Sequence, residues 1–154
     1  MKENDFLRQA GSEMQDKGYR LTGPRMAILK FMIMGKGHYS IPEIYENIRL
    51  QHPCIGMATI YRTLDLFLEL GIVRALILKN SQPCYEINWP DDHHHHLICK
   101  KCGKIVEFGS CNFKLIVGEI EKVTRFRVDD HTLEAYGLCP ICSLGKDAYS
   151  TEKI

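Results

Sequence analysis

The chain has 154 residues, of which 45% are hydrophobic and 25% charged, and its formal net charge is +1; this is the composition of a globular protein with one good core or two small ones. The most apolar region, residues 66–78, is interrupted by Glu69 and Arg74, and the opening "MKENDFLRQAG" is charged throughout, so neither a membrane span nor a signal peptide is expected. A cytoplasmic protein keeps its thiols reduced, and seven cysteines then favour metal ligation over a disulfide framework.

Four helices are predicted in the front half. Residues 5–18 place Phe6, Leu7, Ala10 and Met14 on one face, and residues 24–34 follow Thr22 as a candidate N-cap. Residues 41–50 open with the capping-box pattern Ser40-Ile-Pro-Glu43, where Pro42 is tolerated in the first turn, and His52-Pro53 closes the helix. Residues 57–70 form the fourth helix, closed by Gly71. Strands at 72–78 and 84–88, joined by a turn at 79–83, add a wing to a helix-turn-helix. Residues 1–82 carry 11 Lys/Arg against 8 Asp/Glu, and residues 83–154 carry 9 against 11; the weakly basic front half suits nucleic acid. A second region begins at Asp91-Asp92. It offers short strands at 93–98, 104–108, 126–128 and 133–136, a helix near 112–123, and a polar, loose tail after 143.

Cys99-Lys-Lys-Cys102 and Cys139-Pro-Ile-Cys142 stand 36 residues apart. A two-residue gap lets both thiolates of a knuckle face one ion, and two knuckles complete a tetrahedron suited to structural zinc. A redox dithiol is the competing reading, but it leaves the front helices unexplained. Cys54, Cys84 and Cys111 remain, and are expected to be buried small apolar residues.

Four consecutive histidines, His93 to His96, precede the first knuckle. On a strand, alternate side chains share a face, so His94 and His96 pair on one side and His93 and His95 on the other. Four adjacent imidazoles are therefore two pairs, each able to serve a different ion, and Glu107 on the next strand can add a carboxylate to one of them. A solvated His-rich turn or an affinity tag is the bland alternative, although a tag is not followed by a zinc knuckle. Nitrogen and oxygen ligands suit Fe(II), Mn(II), Zn(II) or Ni(II) without naming one.

The segments "ATIYRTLDLFLELGIV", "HHHHLICKKCGKIVEF" and "LEAYGLCPIC", in this order and spacing, resemble the ferric uptake regulator family over about residues 5 to 143. The resemblance implies an α+β protein: an N-terminal winged helix-turn-helix domain, residues 1–88, and a C-terminal α/β dimerisation domain, residues 89–154, holding the four-cysteine zinc site. It carries a regulatory metal onto His38, Glu86, His94, His96 and Glu107; taken alone, His38 reads as a surface loop residue and Glu86 as a solvent-facing one. A third metal site carries over to His93, His95 and His131, where Lys114 replaces the family's usual glutamate and argues for a site that is weaker, altered or absent. The implied cofactors are structural Zn(2+) and regulatory Fe(2+), with Mn(2+) or Zn(2+) able to substitute. The implied partners are an operator in double-stranded DNA and a second copy of the chain, with a tetramer as an extension; no membrane and no small-molecule substrate are expected.

The helix at 57–70 then becomes the recognition helix, with Thr59, Tyr61 and Arg62 facing DNA, Tyr61 toward thymine methyls and Arg62 toward base edges or phosphates. Arg20 resembles the family's minor-groove basic residue, and Arg25 is placed to hold a phosphate. Tyr61 is also readable as a core residue, and Arg20 and Arg25 as ordinary surface charges. Within the family, an iron-dependent repressor of metal-uptake genes is favoured, since peroxide-sensing members carry aspartate where this chain has Glu107. Zinc-sensing members have a cysteine near Glu86, and Cys84 keeps that alternative open. A zinc hydrolase using Glu107 as base is the different-class alternative; no His-Glu-x-x-His or phosphate-binding glycine loop supports it, and no enzymatic activity is expected.

Overall fold

A computed structural model describes residues 3–76, 83–90, 93–109, 113–129 and 131–145, without the side chains of 114 and 115. The expected turn at 79–82, Asp91-Asp92, Cys111, the first residue of the helix near 112 and the tail beyond 145 lie outside the described residues. The chain divides into two compact units, Met1–Asp92 and His93–Ile154.

The first unit is a helical bundle with a three-stranded wing. Helices α1 (Glu3–Asp16), α2 (Gly23–Gly35), α3 (Ile41–Gln51) and α4 (Met57–Glu69) are followed by strands β2 (Val73–Leu76) and β3 (Cys84–Ile87). A two-residue strand β1 (Tyr39–Ser40) precedes α3 and pairs with β3, giving the order β1-β3-β2. The buried positions recur at helical spacing: Phe6, Ala10 and Met14 on α1; Ile28, Leu29, Met32 and Ile33 on α2; Ile60, Leu64 and Phe67 on α4. As anticipated, the Glu43 carboxylate accepts from both the Ser40 N–H and its hydroxyl, at 2.7 and 2.6 Å, fixing the start of α3. Gly71, at φ +67, ends α4 in the left-handed region, where a Cβ would be strained. Asn88 and Trp89 still belong to this unit: Asn88 N–H donates to Ile72 O and its amide to Gly71 O, and the Trp89 ring lies 4.7 Å from that of Phe6.

The second unit is a three-stranded sheet of β4 (His95–Cys99), β5 (Ile105–Phe108) and β6 (Glu134–Gly137). Strand β4 is central, antiparallel to β5 and parallel to β6. Helix α5 (Phe113–Thr124) lies between β5 and β6 in sequence, supplying the crossover that a parallel pairing requires. A four-residue helix α6 (Pro140–Ser143) carries the end of the second knuckle.

Three expectations are corrected. Residues 126–128 are not a strand: Arg125 adopts φ +59, and the N–H groups of Phe126 and Val128 are taken by Thr124 Oγ1 and a Glu121 carboxylate oxygen. Side chains of the preceding helix thus satisfy donors that a ladder would otherwise need. Strand β4 begins at His95 rather than His93. Cys54 is exposed, because the turn after His52-Pro53 gives the buried slot to Ile55, whose N–H donates to His52 O.

Phe67 is fully buried at the centre of the first unit. Phe67→Ala is expected to lower its stability to urea by about 3–5 kcal/mol, read as a shifted unfolding midpoint with an unchanged slope.

Candidate metal centres

The doubled Cys-x-x-Cys converges because of sheet register. Cys99 ends β4 directly beside Gly137 of β6, and the Lys100 N–H donates to Gly137 O at 2.8 Å. The two knuckles, 36 residues apart in sequence, are therefore brought together at one end of the sheet. The first knuckle turns through Gly103, at φ +74, whose N–H donates to Cys99 O. The second is opened by Pro140 at the start of α6. The four sulfurs of Cys99, Cys102, Cys139 and Cys142 all lie within 4.8 Å of one another, and Cys102 and Cys139 are 3.8 Å apart. A tetrahedron with Zn–S bonds of about 2.3 Å has edges of about 3.8 Å. The donor set fits a thiophilic divalent ion.

The electrostatics of the thiols agree. Backbone N–H groups of Cys102 and Cys139 hold the Cys99 thiol down to about 6, and the Cys142 N–H lowers Cys139. Burial pushes Cys142 up to about 12, with its sulfur neighbours adding to the rise. Such a cluster favours its first thiolate and resists its last, which is the behaviour expected where a dication completes the charge balance.

The regulatory residues predicted from the resemblance fall into two sets, one in each unit. In the first unit, the antiparallel register pairs Tyr39 with Tyr85 and Ser40 with Cys84, so the residue before β1 faces Glu86. His38 Nε2 lies 2.9 Å from Glu86 Oε2. Glu86 is 5% exposed, not the solvent-facing residue a sequence reading suggests, and Arg74 Nε donates to its other oxygen. In the second unit, His96 stands directly across from Glu107, and the His94 and His96 rings are 5.0 Å apart. Nitrogen and oxygen ligands are thus presented by each unit.

His93 and His95 pair on the opposite face, with ring centroids 4.7 Å apart, as alternation requires. His131 joins them, and one nitrogen from each of the three lies within 4.8 Å of the others. The His131 ring stacks on Phe113 at 3.6 Å and 8°, which fixes its plane. His95 is 1% exposed, and neither of its ring nitrogens has a hydrogen-bond partner among the described residues. Burial, reinforced by His93 and His131, lowers its affinity for a proton. A neutral, buried imidazole with uncommitted nitrogens fits a metal better than it fits a core. The side chain of Lys114 lies outside the described residues.

On α4, Tyr61 and Arg62 are exposed while Thr59 is half-buried, and Ile60, Leu64 and Phe67 face the core. Arg20 is exposed in the loop before α2. Arg25 is half-buried and donates to the Arg20 carbonyl at 2.6 Å, so it braces that loop.

The ferric uptake regulator family model matches residues 16–136. The chain belongs to the ferric uptake regulator family. It is 35% identical over 136 residues to the peroxide-responsive repressor PerR of Staphylococcus epidermidis, covering 88% of this chain and 89% of that one. The structure of the Francisella tularensis ferric uptake regulator with iron matches at a TM-score of 0.73 and 35% identity, over 82% of this chain and 96% of that one. The Helicobacter pylori ferric uptake regulator, a protein with three functional metal binding sites, matches at 0.82 over 97% of both chains, at 23% identity; that likeness concerns the fold. Members of the ferric uptake regulator family are metal-dependent transcriptional regulators that bind DNA operators as dimers, not enzymes, which removes the hydrolase reading. Among the described residues no helix is long and apolar enough to cross a membrane.

His38 was within reach of the sequence only through the family resemblance, because a two-residue strand such as β1 leaves no periodic signal. In chelator-treated protein that retains its tightly held zinc, His95→Phe is expected to raise stability by about 1–2 kcal/mol, since a buried polar ring without partners is replaced by an apolar one. A thermal-shift series against wild type measures this.

Proposed function

We propose that the protein is an iron-responsive repressor, with structural zinc at Cys99, Cys102, Cys139 and Cys142 and a regulatory Fe(II) held by His38, Glu86, His94, His96 and Glu107. The observation that carries the reading is that each unit supplies an incomplete nitrogen and oxygen ligand set: His38 against Glu86 in one, His96 across from Glu107 in the other. His38 Nε2 and Glu86 Oε2, 2.9 Å apart, would present one nitrogen and one oxygen to a divalent ion, a donor set of intermediate hardness that suits Fe(II), Mn(II) or Zn(II). Glu107 supports the iron-sensing branch over the peroxide-sensing one.

When bound, the regulatory ion supplies a single charge centre that ligands from both units share. His38 and Glu86 then act as the DNA-binding unit's grip on that centre, and His94, His96 and Glu107 as the other unit's. Such an ion would favour an arrangement in which both sets reach it at once. By reciprocity, DNA that prefers this arrangement tightens metal binding to the same degree. Tyr61, Arg62 and Thr59 would read the major groove from α4, and Arg20, braced by Arg25, would enter the minor groove. His93, His95 and His131 would form a third, weaker site.

A peroxide-responsive repressor is the second reading, favoured by the 35% identity to such a protein over 88% of the chain. Exposure of the iron-loaded protein to hydrogen peroxide, with loss of DNA binding confined to the iron form, would support it over iron sensing.

His38→Ala is expected to weaken metal-dependent binding to a palindromic operator by about tenfold or more while leaving bound zinc and the unfolding temperature near wild type. Anaerobic fluorescence anisotropy with Fe(II) and Mn(II) measures it; unchanged metal dependence in that variant contradicts the shared site.

A further inference from the structure

Arg74 in β2 stands directly across from Glu86 in β3, and its Nε donates to Glu86 Oε1 at 2.5 Å. Glu86 Oε2 faces His38 Nε2 at 2.9 Å. The two oxygens of one carboxylate are therefore divided, one given to a permanent cation and the other to an imidazole. The Glu86 side chain is only 6% exposed and that of Arg74 is 31% exposed, so the pair lies at the edge of the buried layer. Cross-strand pairing holds the two residues opposite one another for as long as the wing is folded.

The geometry points to Arg74 as a built-in competitor for Glu86, a resident cation that holds the carboxylate in the metal-free protein and sets the concentration at which a divalent ion takes it. This inference rests on Glu86 being a ligand of the regulatory site proposed above. Two effects act in the same direction. A carboxylate already engaged through one oxygen offers less negative charge to a second cation, and the guanidinium repels a dication one carboxylate away. Removing Arg74 also takes a permanent positive charge from beside a buried carboxylate, a cost borne by the metal-free state and relieved once a dication binds. Both make metal binding tighter without Arg74. A group that merely positioned Glu86 would have the opposite effect, because its loss would free the carboxylate to turn away. The sign of the change therefore separates a competitor from a positioning residue.

Lysine keeps the charge at this position, as a point charge on a flexible stem. Glutamine and methionine retain length and remove it. The test uses the full-length, zinc-containing protein with Mn(II) as the probe, following free Mn(II) by electron paramagnetic resonance. Glu86→Gln identifies the class of sites that Glu86 serves. Arg74→Gln and Arg74→Met are both expected to lower the Mn(II) Kd of that class by about tenfold or more, with Arg74→Lys staying within about threefold of wild type. In metal-free form the two uncharged variants should unfold at lower temperature than wild type, and Mn(II) should restore more of the difference than it adds to wild type. An unchanged or raised Kd in both uncharged variants, while Glu86→Gln still weakens binding, overturns the role given to Arg74. If Glu86→Gln itself leaves Mn(II) binding unchanged, the assignment of Glu86 fails, and the inference built on it fails with it.

Discussion

Cross-strand register is the constraint on which the cysteine cluster and both halves of the proposed regulatory site depend. Tyr39 opposite Tyr85 brings His38 to Glu86; His96 opposite Glu107 sets an imidazole beside a carboxylate; Cys99 beside Gly137 closes the two knuckles on each other. In a strand a slip of one residue turns every side chain to the other face. Such a slip in β4 would exchange the two histidine pairs, and in β3 it would remove Glu86 from His38. Within each unit, then, backbone pairing sets which ligands stand beside one another.

The segment from His93 through Cys99, which runs into strand β4, illustrates how one short stretch separates chemistries. Its histidines alternate between faces, and its last residue contributes a thiolate to the end of the sheet. Soft sulfur is collected into one cluster of four, while nitrogen and oxygen are kept apart from it. That separation lets a closed thiolate site favour zinc while harder sites remain open to ions with other preferences.

Much of the architecture was legible in the residues because it rests on strong periodic or spacing signals. The faces of α1 and α4, the capping box at Ser40 and Glu43, the glycine stop at Gly71 and the paired knuckles each follow from local chemistry. The alternation of four histidines gave two pairs, and the rings lie as alternation requires. What escaped was non-local or too short to have a period. Strand β1 has two residues, and without it nothing brings His38 toward Glu86. Residues 126–128 alternate as a strand would, yet Thr124 and Glu121 satisfy their backbone donors first. Cys54 follows the general tendency of cysteine to be buried only where the turn allows it, and here Ile55 takes that place.

X-ray absorption at the zinc and iron edges of protein loaded with both metals, anaerobically, tests the separation of ligand sets most directly. The account requires four sulfurs at about 2.3 Å around zinc and a shell of nitrogen and oxygen alone around iron, which loses a nitrogen in His38→Ala. Sulfur in the iron shell, or fewer than four sulfurs around zinc, would contradict it.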